Sequence, residues 1–317
     1  MPSKGGLNAR RASWCADQVP GFVCRRRVLL GPTAASELNR FVVRLALPAL
    51  LFNITAHSDW AQLANPALVA TFSVSCAAVF AVVLAARLMA GRPLANASVD
   101  AIAASYPNTG YLGFPVALLA FGHAGVAPTT IATVIVTCVL FTVAIVLVEI
   151  GMQNKRAPCK LAAKVAWSLV KNPLAMAPVV GALVSGAAIA LPPGLTAFTK
   201  LLGGAASPCA LMSLGLFLAE PRPAAGTTCA ALVFTGAKLL VQPMLTWWLA
   251  VHVFALATPL ADVAVLLAAL PTGTGPYKLA EFYRREAAVT AQTILLSTMG
   301  SLVSLSLLLY WMHAPGS

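Results

Sequence analysis

Two short segments combine proline, glycine and small polar residues inside otherwise apolar stretches, and these residue types are suited to binding an anion. The first reads SYPNTGYLGFP over residues 105–115, and the second reads LPTGTGP over residues 270–276. Hydroxyl, amide and backbone N–H groups in such segments can donate hydrogen bonds to a carboxylate. The candidate binding residues within them are Pro107, Asn108, Thr109, Gly110, Pro271, Thr272, Gly273, Thr274 and Gly275.

Each segment is expected to interrupt a helix, because proline lacks a backbone N–H and clashes with the preceding turn. Glycine adds the freedom to leave helical dihedral angles. Unpaired peptide groups are costly in lipid, so we expect the two breaks to lie together where protein or a polar cavity covers them. The half-helices that restart there direct N–H groups and positive dipole ends at an anion. The half-helices that stop there offer carbonyl groups to a cation or to a proton-carrying group.

Lys238 is a further candidate, because it lies near the middle of the apolar run at residues 227–257. A charged side chain within a membrane span is costly and is usually functional, so Lys238 could face a cavity, attract an anion or respond to a proton. It could equally snorkel to the cytoplasmic interface, and the sequence favours neither interpretation. Lys278, just after the second break, could face either a substrate path or the cytoplasm.

Two aspartates raise the alternative of an intramembrane aspartyl protease. Asp100 and Asp262 lie near the ends of apolar runs, and neither belongs to a GxGD-like motif. We prefer to interpret them as residues that cap half-helices, where a carboxylate suits the helix dipole, and proton carriage is the alternative role. The seven cysteines and four histidines show no metal-ligand spacing. No P-loop, GxSxG or HExxH motif is present, so we predict no metal, cofactor or enzyme activity.

The elements that position these residues are apolar segments long enough to span a membrane. Of the 317 residues, 59% are hydrophobic and 9% are charged, whereas a soluble domain contains about 25% charged residues. A helix needs roughly 20 apolar residues to cross the hydrocarbon core. Apolar runs that approach or exceed this length lie at residues 41–56, 66–90, 101–121, 126–150, 166–191, 195–219, 227–257, 260–281 and 289–312. The sequence therefore predicts an all-α polytopic membrane protein with nine spans.

The net charge of +12 is distributed in a way that indicates membrane orientation and not nucleic-acid binding. Lysine and arginine cluster near residues 25–27, 87–92, 155–164, 222 and 284–285, whereas the loops near 57–65, 122–128, 191–195 and 257–261 contain neither residue. This alternation follows the positive-inside rule. We therefore expect a multi-pass protein of the cell inner (cytoplasmic) membrane, with a cytoplasmic 151–165 loop, an external C-terminus and no nucleic-acid partner.

An internal repeat divides the spans into two halves. LNRFVVRLALPALLF (38–52) aligns with FTKLLGGAASPCALM (198–212), which places Pro48 opposite Pro208, and the segments of Pro107 and Pro271 align at a similar separation. The separation contains an odd number of spans, so the second copy is expected to be inverted in the membrane. Inverted repeats with a broken helix in each half are typical of secondary transporters.

The two halves differ at the N-terminus. The span at 166–191 opens the second half, and its partner should lie near residues 6–31, but residues 1–20 are polar and basic. We expect a segment at 1–20 in place of the first helix, an incomplete first repeat at 21–150, the loop at 151–165 and a second, inverted repeat at 166–317. The chain thus has nine predicted spans of a ten-span plan. Two explanations are open: the first helix has been lost, or the start of the chain is misassigned.

Four segments resemble those of the auxin efflux carrier family between about residues 21 and 311: ALPTGTGPYKLAEFY, SYPNTGYLGFP, SPCALMSLGLFLAE and LNRFVVRLALPALLF. That family includes plant auxin carriers and bacterial permeases for malate, malonate and similar acids, and the short 151–165 loop resembles the bacterial members. The resemblance implies ten helices in two inverted five-helix repeats, a bile-acid-symporter-like fold and an elevator-type motion. It also implies substrate binding at two broken crossover helices, at Pro107 with Asn108 and at Pro271 with its glycines.

These inferences together predict a secondary active transporter that moves small organic anions, such as malate, malonate or auxin-like acids, by alternating access. Two alternatives stay open: a cation-coupled symporter of the same fold for another substrate, and a membrane receptor that does not transport. A coupling proton or cation and a homodimeric partner are both compatible with the sequence.

Overall fold

The computed structural model contains helix in each predicted apolar span, within the residues that it describes. It describes residues 31, 33–57, 65–152, 167, 170, 173–187, 189–206, 208–209, 212–213, 216, 229–285 and 287–312. The predicted segment 1–20, most of the 151–165 loop and residues 313–317 lie outside the described residues. Within the described ranges, extended backbone pairs only at one isolated bridge, and no strand is present.

The helices follow one another along the chain as predicted from the apolar runs. In chain order they are α1 (residues 34–57), α2 (Pro66–Met89), α3 (Leu94–Ser105), α4 (residues 109–121), α5 (residues 126–152), α6 (Pro173–Gly186), α7 (Pro193–Gly204), α8 (Cys229–Val253), α9 (Thr258–Ala268), α10 (Gly275–Phe282) and α11 (Ala287–Met312). Long, apolar stretches able to cross a membrane are found in α1, α2, α8 and α11, and in Thr109–Met152, which contains α4 and α5. These helices confirm a polytopic α-helical membrane protein.

Both predicted helix breaks are present. The apolar run at 101–121 is divided between α3 and α4, and the run at 260–281 is divided between α9 and α10. A separate turn divides α4 from α5 at Gly122, whose φ of 63° lies in the left-handed region that glycine tolerates. The chain therefore places two interrupted helices among continuous ones.

Prolines within the long helices follow wider helical turns. In α1 the π-helical turn Val42–Ala46 precedes Pro48, and in α8 the π-helical turn Ala237–Val241 precedes Pro243. Proline removes one N–H and clashes with the carbonyl four residues earlier. A π turn accommodates this clash locally, so the helix continues past the proline.

The buried hydrophobic side chains of the described helices form two clusters. The larger cluster is built from buried side chains of α2, α3, α4, α5, α8, α9, α10 and α11. The smaller cluster contains Val42, Ala46, Leu47, Leu51, Phe114 and Ala206. Helix α6 packs closely on α1 at Gly181, which has no side chain. A side-chain carbon at this position would collide with the hydroxyl of Thr55. The two clusters meet at the start of α4, where Phe114 joins the smaller one.

Candidate functional site

The extended segments of the two broken helices pair with each other. One segment joins α3 to α4 and the other joins α9 to α10, and Pro107 and Thr272 form an antiparallel bridge between them. The N–H of Asn108 donates to the carbonyl of Pro271 at 2.9 Å. Backbone groups released by the helix breaks are thus paired where the two extended segments meet, as an apolar environment requires. We call this meeting place the crossing.

Thr272 satisfies a carbonyl that Pro107 leaves without a partner. Because Pro107 has no N–H, the carbonyl of Ala103, four residues earlier, lacks its helical donor. The hydroxyl of Thr272 donates to that carbonyl at 2.9 Å. The N–H of Thr272 donates to Ser297 Oγ of α11 at 3.1 Å. Thr272 is fully buried, and its contacts hold the crossing together.

Two glycines bring the second break against the ring of Tyr106. The N–H of Gly273 donates to the carbonyl of Tyr106 at 3.0 Å. A Cβ at Gly273 would lie 2.9 Å from Cε1 of that ring, and a Cβ at Gly275 would lie 3.0 Å from Cζ. The ring makes an edge-on contact with Phe141, with centroids 5.9 Å apart. Residues without a side chain are therefore required here, since carbon atoms pack at about 3.5–4.0 Å.

A cavity of about 160 Å³ lies beside the crossing and is lined by residues of both broken helices. The sequence-predicted residues that line it are Pro107, Asn108, Thr109, Gly110, Thr274 and Gly275. Lys278 of α10 also lines it, and Val43 and Leu47 of α1 contribute apolar side chains. The cavity is therefore bounded by the crossing and by a helix of the smaller cluster.

The polar groups of this cavity favour an anion. Helices α4 and α10 begin beside it, and the N–H groups of a first helical turn lack an intrahelical partner and carry the positive dipole end. Lys278, an exposed residue of α10, also borders the cavity and adds positive charge near it. The hydroxyl of Thr109 is buried and has no hydrogen-bond partner among the described residues. A bound ligand would satisfy such a group, because buried polar atoms are normally hydrogen-bonded.

The other predicted site residues, Pro271, Thr272, Gly273 and Lys238, are not among the described residues that line the cavity. Lys238 lies on α8 and is fully buried. Its Nζ donates to the carbonyl of Ala268, the last residue of α9, at 2.6 Å. The ammonium group therefore lies at the end of a half-helix that stops, and it does not extend to an interface as a snorkelling lysine would.

Sequence reasoning left one cavity residue undecided and missed two residues at the crossing. Lys278 could have been chosen from its place in the first turn of α10. Tyr106 precedes a proline, which favours extended backbone, but its ring contacts depend on the tertiary fold. Gln242 lies four residues after Lys238 on α8, and its Nε2 donates to the carbonyl of Ser105 at 3.2 Å. Its four-residue spacing from Lys238 is the sequence feature that could have identified Gln242.

The capping role predicted for Asp100 and Asp262 is wrong. Asp100 lies inside α3, 3% exposed, and accepts a bond from Arg87 Nε at 2.7 Å. Asp262 is the fifth residue of α9, and the first turns of α3 and α9 contain no acidic residue. The helices begin earlier than the aspartates, at Leu94 and Thr258, so the dipole is capped by neither carboxylate.

Known membrane transport proteins are similar to this chain over most of its length. The chain matches the family model described as "Membrane transport protein" over residues 19–309. It is 30% identical over 292 residues to a protein of Rhizobium meliloti (strain 1021) named "Putative malonate transporter", with 92% of this chain and 91% of that protein covered. It is 26% identical over 295 residues to an "Uncharacterized transporter" of Methanothermobacter thermautotrophicus, with 90% and 92% covered. The chain therefore belongs to the membrane transport protein family, that of the auxin efflux carriers, which confirms the resemblance of its motifs.

Proposed function

We propose that this chain is a secondary carrier that moves small organic anions across the cytoplasmic membrane by alternating access. The observation that carries the proposal is the cavity at the crossing of the two broken helices. It combines two helix N-termini, the buried hydroxyl of Thr109 and the basic residue Lys278 at its border. The apolar helices and the family match support a transport role for this cavity.

A carboxylate in the cavity would accept hydrogen bonds from N–H groups in the first turns of α4 and α10 other than that of Thr109, which donates to the carbonyl of Pro107. The side chains of Asn108 and Thr109 would add donors, and Lys278 would balance the negative charge. Hydrogen bonds to charged groups contribute about 1.5–3 kcal/mol each. Several such donors at one place favour a carboxylate over an uncharged ligand of the same size.

The volume of the cavity favours a short acid. At about 160 Å³, it is smaller than the roughly 300–1,000 Å³ of pockets that bind drug-sized ligands. A short dicarboxylate such as malonate or malate suits this space better than an aromatic, auxin-like acid. The name of the Rhizobium meliloti relative refers to malonate. We therefore place malonate-like dicarboxylates first among the candidate substrates.

The two hydrophobic clusters support an elevator-type movement. The crossing belongs to the larger cluster, whereas Leu47, on the cavity wall, belongs to the smaller one. Movement of the larger cluster along the smaller one would expose the bound anion to one side of the membrane and then to the other. The inverted repeat predicted from the sequence would give two similar end states, with one broken helix from each half at the cavity.

The test is uptake of radiolabelled malonate into proteoliposomes that contain the purified full chain. We expect saturable uptake above that of protein-free liposomes, with stronger competition by unlabelled malate than by indole-3-acetate. Binding of malonate without uptake would identify a receptor instead of a carrier. The absence of both binding and uptake for malonate and malate would contradict the proposal.

A further inference from the structure

Two backbone carbonyl groups at the crossing have lost their helical partners. Helix α3 ends at Ser105, and the N–H of Thr109, its partner in a continuous helix, instead donates within the extended segment at 2.8 Å. Helix α9 ends at Ala268, and the N–H of Thr272 instead donates to Ser297 Oγ at 3.1 Å. Since the C-terminus of a helix carries the negative end of its dipole, both carbonyls lie where negative partial charge accumulates.

Helix α8 supplies a side-chain donor to each of these carbonyls. Lys238 Nζ donates to the carbonyl of Ala268 at 2.6 Å, and Gln242 Nε2 donates to the carbonyl of Ser105 at 3.2 Å. The two side chains are four residues apart, about one helical turn. Both residues are fully buried. The ends of both stopped half-helices are therefore capped from one helix.

The surroundings of Gln242 offer oxygen atoms, which are the ligands that hard cations prefer. Ser75 Oγ of α2 donates to the backbone carbonyl of Gln242 at 3.3 Å, and Gln242 Nε2 lies 3.2 Å from Cys76 Sγ. The side-chain oxygen Oε1 of Gln242 is buried and has no hydrogen-bond partner in the described part of the chain. The polar cluster thus combines carbonyl, amide and hydroxyl oxygens behind the extended segments.

Lys238 places its amino group at the end of α9, beside this cluster. Carbonyls at the ends of broken half-helices coordinate inorganic cations in secondary transporters, but here the ammonium group binds the carbonyl of Ala268. The salt bridges found within the described ranges involve Arg40 and Arg87, not Lys238. Among the described ion pairs, Lys238 has no carboxylate partner, and its amino group is bonded to the helix end.

We propose that Lys238 is a tethered cation that takes the place of an alkali-metal ion at the crossing, so that anion transport by this protein requires neither Na⁺ nor K⁺. The inference rests on the proposed carrier function and specifies how the stopped end of α9 is neutralised. Because the ammonium group is covalently attached, it stabilises the extended segment after Ala268 whether or not a substrate is bound.

The first test compares malonate uptake by the unmodified chain in proteoliposomes that contain NaCl, KCl or choline chloride at equal ionic strength, with no imposed membrane potential. We expect equal uptake rates in the three salts. Coupling between two ligands typically changes affinity by roughly 5–150-fold. A loss of about fivefold or more in choline chloride would therefore overturn the proposal.

The second test removes the tethered charge. Lys238→Ala deletes the donor to Ala268 and leaves space beside that carbonyl. We expect uptake to fall by about tenfold or more, as for the loss of a hydrogen bond with a charged group, and to recover in part with ethylammonium chloride. Lys200→Ala, at an exposed lysine of α7, is the matched control and should keep the parent rate. Full activity of Lys238→Ala, or a loss that neither ethylammonium nor Na⁺ reverses, would overturn the proposal.

Thermal unfolding in detergent separates this inference from the choice of substrate. The melting temperature of the unmodified chain should be equal in NaCl and choline chloride, whereas that of Lys238→Ala should rise by about 2 °C or more in ethylammonium chloride. If the unmodified chain shows this pattern but takes up no malonate, the proposed substrate fails and the tethered cation stands. A melting temperature of the unmodified chain that rises specifically with Na⁺ would contradict the tethered cation.

Discussion

Asn108 and Thr272 each follow a helix-breaking proline, but their side chains have different roles. The side chain of Thr272 donates to the carbonyl of Ala103 and is fully buried, whereas Asn108 lines the cavity. A side-chain contact to a ligand is therefore expected from Asn108 and not from Thr272, together with backbone N–H groups from both breaks. This asymmetry determines which substitutions should weaken binding directly.

Replacing Asn108 with alanine tests the first break. We expect Asn108→Ala to weaken malonate binding by roughly tenfold to hundredfold, because one hydrogen bond to a charged group is worth about 1.5–3 kcal/mol. Isothermal titration calorimetry of the purified chain measures this change. Ser306→Ala, at an exposed hydroxyl of α11, is the control and should bind as the parent does. An affinity of Asn108→Ala equal to that of the parent would show that the amide does not contact the ligand.

Replacing Lys278 tests the charge of the cavity. Lys278→Met keeps the length of the side chain but removes the ammonium group, so we expect malonate affinity to fall by about tenfold or more. The remaining affinity should depend less on salt concentration, because a charge pair has been removed. Titrations at low and high ionic strength measure both effects, with Lys200→Met as an exposed control. If Lys278→Met leaves both quantities unchanged, Lys278 does not bind the anion.

At the scale of elements, the crossing depends on two helices that stop. The extended segments exchange backbone hydrogen bonds with each other, and side chains of α8 and α11 satisfy groups at their ends. Two interrupted helices can therefore exist inside an apolar fold, because these bonds pair peptide groups that the breaks release. Continuing either helix would remove the N-terminus that faces the cavity.

Pro271→Ala should impair binding more than any single change of a cavity side chain. The new N–H could bond to the carbonyl of Leu267 and extend α9, which would withdraw the carbonyl that Asn108 uses and the N-terminus of α10. Malonate affinity and melting temperature together distinguish lost binding from lost folding. Pro259→Ala is the matched control, because that proline lies in the first turn of α9, where its missing N–H has no partner. Parental affinity in folded Pro271→Ala would place the substrate away from the crossing.

At the scale of the whole molecule, charge and packing have separate consequences. The distribution of lysine and arginine between loops predicts how the chain is oriented in the membrane. The division of the core into two clusters determines where the cavity lies, because the crossing and α1 face each other across it. Orientation and access are therefore independent properties, and each requires its own experiment.

Cysteine labelling tests the orientation. In an otherwise cysteine-free chain, Pro315→Cys should react with a membrane-impermeant maleimide added outside the cell, whereas Cys159 alone should react only after permeabilisation. The reason is the cluster of Lys155, Arg156, Lys160 and Lys164 around Cys159, which the positive-inside rule assigns to the cytoplasm. Labelling of Cys159 from outside, with protection of Pro315→Cys, would reverse the predicted topology.

The amino-acid sequence by itself determined the helical class, the positions of both breaks and the family. Apolar runs of sufficient length can only form helices in lipid, and Pro107 and Pro271 with their neighbouring glycines interrupt two of them through local backbone chemistry. The same local reasoning failed for Asp100, because the start of α3 could not be located from composition alone.

Only the tertiary structure decided which polar groups meet. Thr272 donates to a carbonyl 169 residues away, and Lys238 donates to one 30 residues away. The placement of Lys278 on the cavity wall, and of Lys238 outside it, likewise depends on how each helix is rotated and packed. The physical reason is that spacing along a helix determines which side chains share a face, whereas the partner of that face is determined by the packing of helices that are distant in the chain.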